Sequence, residues 1–376
     1  MRIKLRAFKS VMLALAIFSF VLATTISKGE PVEPFGLKTH LQTGGPAEWH
    51  FVVSGDSRNC GDVVMPAIAK AAAQHQANFY WHLGDFRAIY EYDEDMLPKG
   101  RTMTIYDYQS GAWNDFLKHQ ISPFTMPVFL AMGNHESIPP KTRSEYIAQF
   151  ADWLNSPVLK QQRLQDDPND HLLKTYYHWV QDGIDFITMD NATTDQFDDN
   201  QMAWVTKVLQ SDEKDAGVHT IVVGMHEALP DSIAFVHSMS DYPTGEATGR
   251  RVYARLLALQ KTGKKVYVLA SHSHYFMDGI FNTEYWRTHG GVLPGWIIGT
   301  AGAVRYPLPP NSNQAKTAKT NVYGYVLATV NPAGEPPGTI KFDFHEFQES
   351  DIPDTVVSRL GSDLVHQCFV GNSLAK

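Results

Sequence analysis

Cysteine is almost missing from this chain. Cys60 and Cys368 are the two it has in 376 residues, so no disulfide framework is implied. The pair can join in one bridge, or Cys60, close after Asp56, can be a free thiol beside a site. Sequence leaves both open, because pairing depends on geometry. An excess of basic charge is also missing. The formal net charge is -8 and the pI about 6.0, which argues against a dedicated nucleic-acid surface. Beyond residue 23 there is no apolar run long enough to span a bilayer. A G-x-S-x-G elbow and a G-x-x-x-x-G-K-[ST] loop are both absent, which sets aside two large enzyme classes. Internal repeats and low-complexity blocks are absent too.

What remains is ordinary globular material, 43% hydrophobic and 19% charged. A chain of this length can bury a large core, and one α/β domain with elaborations is the simplest architecture. There are sixteen histidines. Imidazole is both a common metal ligand and a natural acid or base, so their positions decide what they do.

Arg2, Lys4, Arg6 and Lys9 precede an uncharged apolar stretch, residues 11–23. A basic segment, a short apolar core and the small residues Val21-Leu22-Ala23 form the pattern of an export signal. Residues 1–23 are therefore expected to be a signal peptide. The mature protein would be periplasmic or extracellular, or held on a membrane if the segment stays uncleaved. Residues 24–47 read as a linker or N-terminal extension, 48–348 as the main domain, and 349–376 as a C-terminal tail.

Short apolar runs recur at 49–54, 79–83, 127–132, 184–189, 218–225 and 265–270. Amphipathic helical patterns fall between several of them, at 62–74, 143–154, 200–210 and 248–260. Strands separated by helices define an α/β fold. Near the end, 321–330 and 338–347 alternate in the β manner, and 351–376 suggests a helix and a frayed tail.

The ends of the apolar runs carry the chemistry. They stop at Gly55-Asp56, Gly84-Asp85, Gly133-Asn134-His135-Glu136, His226, and His272-Ser273-His274. Ligand sites gather at strand ends in α/β sheets, and a glycine there allows a sharp turn or a close backbone approach. Taken singly, these are weak signals: Gly-Asp usually makes a turn, and a lone histidine is usually structural. Spacing of two puts His272 and His274 on one face of a strand. The ordered set of five strand ends is much rarer than any member.

That order resembles the calcineurin-like metallophosphoesterases over roughly residues 49–305. The segments 186–191 and 201–209, and the turn Gly299-Thr300-Ala301-Gly302-Ala303, agree with it. The resemblance implies a β-sandwich flanked by helices, with two metal ions (Fe, Mn, Zn or Co) at the strand ends. It implies hydrolysis of a phosphate ester substrate by a metal-activated hydroxide. By the same resemblance Asp85 bridges the ions. Asp56 and His274 serve the first ion; Asn134, His226 and His272 serve the second. His135 faces the leaving group as general acid, and Glu136 anchors the turn.

One position departs from the family. Most members read Asp-x-His at the first motif, whereas here the stretch is Asp56-Ser57-Arg58. A protonated guanidinium cannot ligate a metal. Arg58 can clamp a phosphoryl oxygen beside a first ion that keeps solvent as a ligand. It can instead supply the charge of a missing ion, or pair with an idle carboxylate in a dead site. The last case makes the chain an inactive binding platform on the same fold. The purple acid phosphatases, a related subfamily, fill this place with a tyrosine three residues after the second Asp. Here that position is Ala88, so membership of that subfamily is not assigned; Tyr90, out of register, stays open as an alternative ligand. The long insertion containing 90–100 and the aromatic-rich 105–113, and the segment 228–247, are candidate rims that choose the substrate. The acidic run within 90–100 reads as a solvated loop face.

Overall fold

The computed structural model describes residues 47–97, 102–234 and 237–371. The expected signal peptide and almost all of the expected linker lie outside the described residues. Among those described, no helix is long and apolar enough to cross a membrane.

The strands, in chain order, are β1 (Trp49–Ser54), β2 (Tyr80–His82), β3 (Val128–Leu130), β4 (Tyr177–Gln181), β5 (Ile184–Thr188) and β6 (Thr220–Gly224). They continue with β7 (Lys265–Ala270), β8 (Phe276–Asp278), β9 (Gly295–Ile298), β10 (Thr317–Lys319), β11 (Tyr323–Val330) and β12 (Ile340–Phe347). The helices are α1 (Gly61–Gln74), α2 (Ile105–Asp115), α3 (Arg143–Gln149), α4 (Ala151–Leu154) and α5 (Pro157–Asp166). After them come α6 (Asp199–Lys214), α7 (Pro243–Lys261), α8 (Glu284–Thr288), α9 (Asp354–Leu360) and α10 (Ser362–Val370).

Two sheets form, in the orders β12-β11-β1-β2-β3 and β10-β8-β9-β7-β6-β5-β4. The period-two side-chain alternation of a strand explains how they stack. Phe51 and Val53 of β1, Trp81 of β2, Val222 of β6 and Leu269 of β7 point between the sheets. Their neighbours Val52 and Tyr80 face α1, while Ile221, Val223, Val266 and Val268 face α6 and α7. Both faces of each central strand are buried, so the strands read as continuous apolar runs. The layers are helix, sheet, sheet, helix, as expected of a β-sandwich flanked by helices. Stacked rings fill the middle: Phe129 on Trp179 at 3.9 Å, and Phe51 on Phe79 at 4.9 Å.

Several elements differ from the sequence reading for local reasons. The helix expected over 143–154 is broken at Phe150, which leaves helical geometry (φ -104°, ψ 21°). Its ring packs on Phe86, Trp113 and Phe116 instead. Helix α7 begins earlier than its apolar pattern, because Pro243 opens it at the first turn. The final stretch carries two helices, with Val356 of α9, and Val365 and Cys368 of α10, in the core beside α1. Cys60 and Cys368 form a disulfide with Cα atoms 5.9 Å apart, so Cys60 is not a free thiol.

Within the acidic run at 90–100, Glu91 is exposed, but two of the acids are not part of a solvated face. Asp93 and Asp95 are buried. Asp93 accepts from Tyr108 Oη at 2.7 Å, and Asp95 accepts from the Asp62 amide at 2.7 Å. The guanidinium of Arg87, wholly buried, pairs with Asp62, Asp95 and Asp115. Arg87 Nη1 also lies 3.7 Å from Asp93 Oδ2, so both buried acids of the loop have a cation beside them, without which their burial would be costly.

Candidate metal centre

Strands β1, β2 and β3 run parallel to one another, as do β5, β6, β7 and β9. The residues just past the C-terminal ends of β1, β2, β3, β6 and β7 meet at one buried place. Asp56, Asp85 and His272 each adopt a left-handed backbone, with φ of 58°, 60° and 64°. That conformation costs an L-residue about 1–2 kcal/mol and is tolerated best by Asp, Asn and His. Cross-loop hydrogen bonds hold it: Asp56 N–H to Gly84 O at 2.9 Å, and Ser57 N–H to Asp85 O at 2.9 Å. Gly84 and Gly133 are required here. A Cβ on Gly84 would lie 2.6 Å from Gly133 N, and one on Gly133 would lie 2.3 Å from Asp85 Oδ1.

His272 and His274 do not share the face of a strand. Strand β7 stops at Ala270, and the left-handed turn at His272 sends the two rings to different partners. His272 Nδ1 lies 3.0 Å from His226 Nε2, which is itself 3.0 Å from Asn134 Oδ1 and 3.3 Å from Asp85 Oδ1. His274 Nε2 lies 3.2 Å from Asp56 Oδ1. The structure thus gathers Asp85, Asn134, His226 and His272 on one side, and Asp56, Asp85 and His274 on the other.

Ring orientation shows which atoms face inward. His226 Nδ1 donates to Leu83 O at 2.9 Å, and His274 Nδ1 to Val304 O at 2.5 Å. Each ring therefore turns Nε2 toward the other acceptors of the centre, a lone pair when that nitrogen carries no proton. Asp56 Oδ1 and Asp85 Oδ2 are buried and, among the described residues, receive no hydrogen bond. Facing acceptors repel unless a cation lies among them. A cation with ligands at about 2.0–2.2 Å sets neighbouring ligand atoms roughly 3.0–3.4 Å apart. The set around His226 has that spacing, and its mix of carboxylate, amide and imidazole suits a first-row cation. Burial opposes protonation of His226, but the Asp85 carboxylate overrides it and pushes the ring up to about 10. The same field attracts a metal ion. Around Asp56, burial is outweighed by His274, which holds the carboxyl down to about 2.

The set around Asp56 fits less well. Asp56 Oδ2 is occupied by Ser271 Oγ and by the His272 amide, the latter at 2.8 Å. The Arg58 guanidinium, 4% exposed, donates from Nη2 to His274 Nε2 at 3.3 Å. It also donates to Tyr306 Oη and Tyr90 Oη, each at 3.3 Å, while its Nε lies 4.0 Å from Asp85 Oδ2. Burial works against the charge, but Asp85 and Tyr306 raise the guanidinium above its ordinary range, so it stays charged.

His135 sits at the rim of the centre, its Nε2 3.6 Å from Asp85 Oδ2. Glu136 is no surface carboxylate. It is buried and accepts the amides of Asp85, Phe86 and Gly133 at 2.9, 2.9 and 2.8 Å.

Tyr306 and His237 join the centre without any motif that marks them. Tyr306 stacks on His274 at 3.9 Å. His237 stacks on Tyr306 at 5.1 Å and meets His272 at 5.2 Å, from within the segment expected to form a rim. No motif marks either residue; both arrive through loop geometry. A further group, Asp62, Asp115 and His119, has metal-like spacing, but Arg87 and Arg359 already neutralise it.

Comparison with known proteins gives the class. A family model described as calcineurin-like phosphoesterase matches residues 50–276. The chain belongs to that family. No curated protein matches the sequence significantly. Among solved structures it is similar to a purple acid phosphatase from yellow lupin (Lupinus luteus) seeds, at 16% identity and a TM-score of 0.56. That match covers 80% of this chain and 52% of the lupin chain, so this chain spans about half the length of that relative. PhoD matches at 14% identity and a TM-score of 0.49, covering 87% of this chain and 78% of the other. A dimetal phosphatase from Danio rerio matches at 11% and 0.46, covering 74% and 92%. At 16% identity the likeness to the lupin structure concerns the fold.

Proposed function

We propose that this protein is an exported, metal-dependent phosphoesterase acting on phosphate monoesters or diesters. One observation carries the reading: the converging acceptors of Asp85 and His226, which are buried, and of Asn134 and His272, which are partly buried, are spaced for a cation. When bound there, a cation supplies an activated water and neutralises charge on the phosphoryl group. The chain's own residues do the rest. Leu83 O fixes the His226 ring, and Glu136 straps the Asp85 loop to the Asn134 loop. Arg58 offers a planar fork of donors to phosphoryl oxygens. His135 Nδ1 is bonded to Ala88 O at 2.5 Å, so the proton it can give a leaving group is one on Nε2. Burial holds the ring below its ordinary range, against the pull of Asp85, so that proton is weakly held.

Export is supported by the basic and apolar pattern of residues 1–23 and by the Cys60–Cys368 disulfide, which suits an oxidising compartment. The test is hydrolysis of p-nitrophenyl phosphate, bis(p-nitrophenyl) phosphate and a set of nucleotides by the metal-loaded protein. At least one ester should be cleaved, and His226→Ala should bring cleavage to background. No cleavage of any of them would favour an inactive platform.

A further inference from the structure

We infer that the chain holds a single metal ion, at Asp85, Asn134, His226 and His272, and that the Arg58 guanidinium occupies the place of a second cation. This rests on the phosphoesterase reading of the site and adds to it the number of ions and the identity of the other positive charge.

The two halves of the centre differ in what satisfies their lone pairs. Among the described residues, no lysine or arginine hydrogen bonds to Asn134, His226 or His272, and only an added cation or proton can reconcile those facing acceptors. In the other half a cation is already in place. His274 can turn only Nε2 inward, because Val304 O holds Nδ1. That Nε2 accepts from Arg58 Nη2 at 3.3 Å. A metal ion on His274 needs the same lone pair, so metal and guanidinium exclude each other there.

Arg58 is not poised to leave. Tyr90 and Tyr306 accept from its two terminal nitrogens, and the Tyr306 ring is stacked on His274 at 3.9 Å. These hydroxyls point at the arginine, which leaves Asp56, Asp85 and His274 as the protein donors of that half. Asp56 offers only Oδ1, since Oδ2 is taken by Ser271 and the His272 amide. Charge points the same way. Asp56 and Asp85 bring two negative charges; Arg58 and one divalent ion leave the pocket slightly positive, suited to a phosphate. A second divalent ion would sit against the buried guanidinium, where like charges repel strongly. The fork also gives directional hydrogen bonds that a spherical ion does not.

The test counts ions. Protein stripped with a chelator, reloaded with excess manganese and passed through a desalting column is assayed by elemental mass spectrometry and electron paramagnetic resonance. Wild type should hold one ion per chain with the six-line signal of isolated manganese. Arg58→His, which removes the guanidinium and adds an imidazole, should hold two, with a spin-coupled signal. Arg58→Ala serves as a second variant and should also gain an ion. Two coupled ions in wild type would overturn the inference. One ion in all three proteins would overturn the role given to Arg58. No ion in any of them would overturn the metal centre itself.

Discussion

The Nδ1 atom of His135 lies 2.5 Å from the carbonyl oxygen of Ala88, 47 residues earlier in the chain. Ile89, next to that carbonyl, is buried with φ of 66°, a strained state for a β-branched residue. The Ile89 amide donates to Tyr108 Oη at 3.0 Å, which holds the strain. The loop thus fixes His135 and Tyr90 together. His135→Ala should lower turnover by about 10²–10⁴-fold, the usual worth of an acid–base group, and leave metal content unchanged. Loss of metal in this variant would make His135 a ligand and refute its assignment.

Glu136 satisfies three buried amides in two loops. Glu136→Ala strands them, at a cost of about 3 kcal/mol or more, and lets the Asp85 loop shift. Urea denaturation should show a lower midpoint, with Glu136→Gln less affected. An unchanged midpoint for the alanine variant would mean that the strap contributes nothing.

The Cys60–Cys368 disulfide joins the first site loop to α10 across 308 residues. Arg305 adds to this tie by donating to Cys368 O at 2.6 Å. The double variant Cys60→Ser, Cys368→Ser should lose about 2–5 kcal/mol, seen as a lower melting temperature. A melting temperature equal to that of oxidised wild type would contradict this.

Far from the metal centre, His178 lies between Asp185 at 2.8 Å and Asp166 at 2.7 Å. Burial opposes its charge, but Asp185 and Asp166 push it up from 6.5 to about 10. Its folded pKa is raised, so its stabilisation is complete below pH 6.5 and is lost as pH rises through about 10. Asp212, pushed up to about 8 by burial and Asp185, acts in the same direction. Wild-type stability should therefore fall from about pH 6.5 to 10, and His178→Gln should flatten that slope. Parallel curves for the two proteins would show that His178 is not the source.

The sheets and the ligand positions were legible because each ligand follows its strand directly, so the order of strands brings the ligands with it. What escaped detection depends on loop shape. Tyr306 reaches Arg58 across 248 residues, and His237 reaches His272 through a left-handed turn (φ 77°). Asp93 and Asp95 looked solvated because their partners, Tyr108 and Arg87, carry no sequence pattern linking them to the acids. Spacing of two suggests one strand face for His272 and His274, but it says nothing about where the strand ends, and β7 stops at Ala270.

The most direct test of the account is a metal titration of phosphoester hydrolysis. Chelator-treated protein should cleave nothing, and activity should return with added manganese and level off at one ion per chain. Hydrolysis that survives metal removal, or that no added metal restores, would contradict a metal-dependent phosphoesterase built on Asp85, Asn134, His226 and His272.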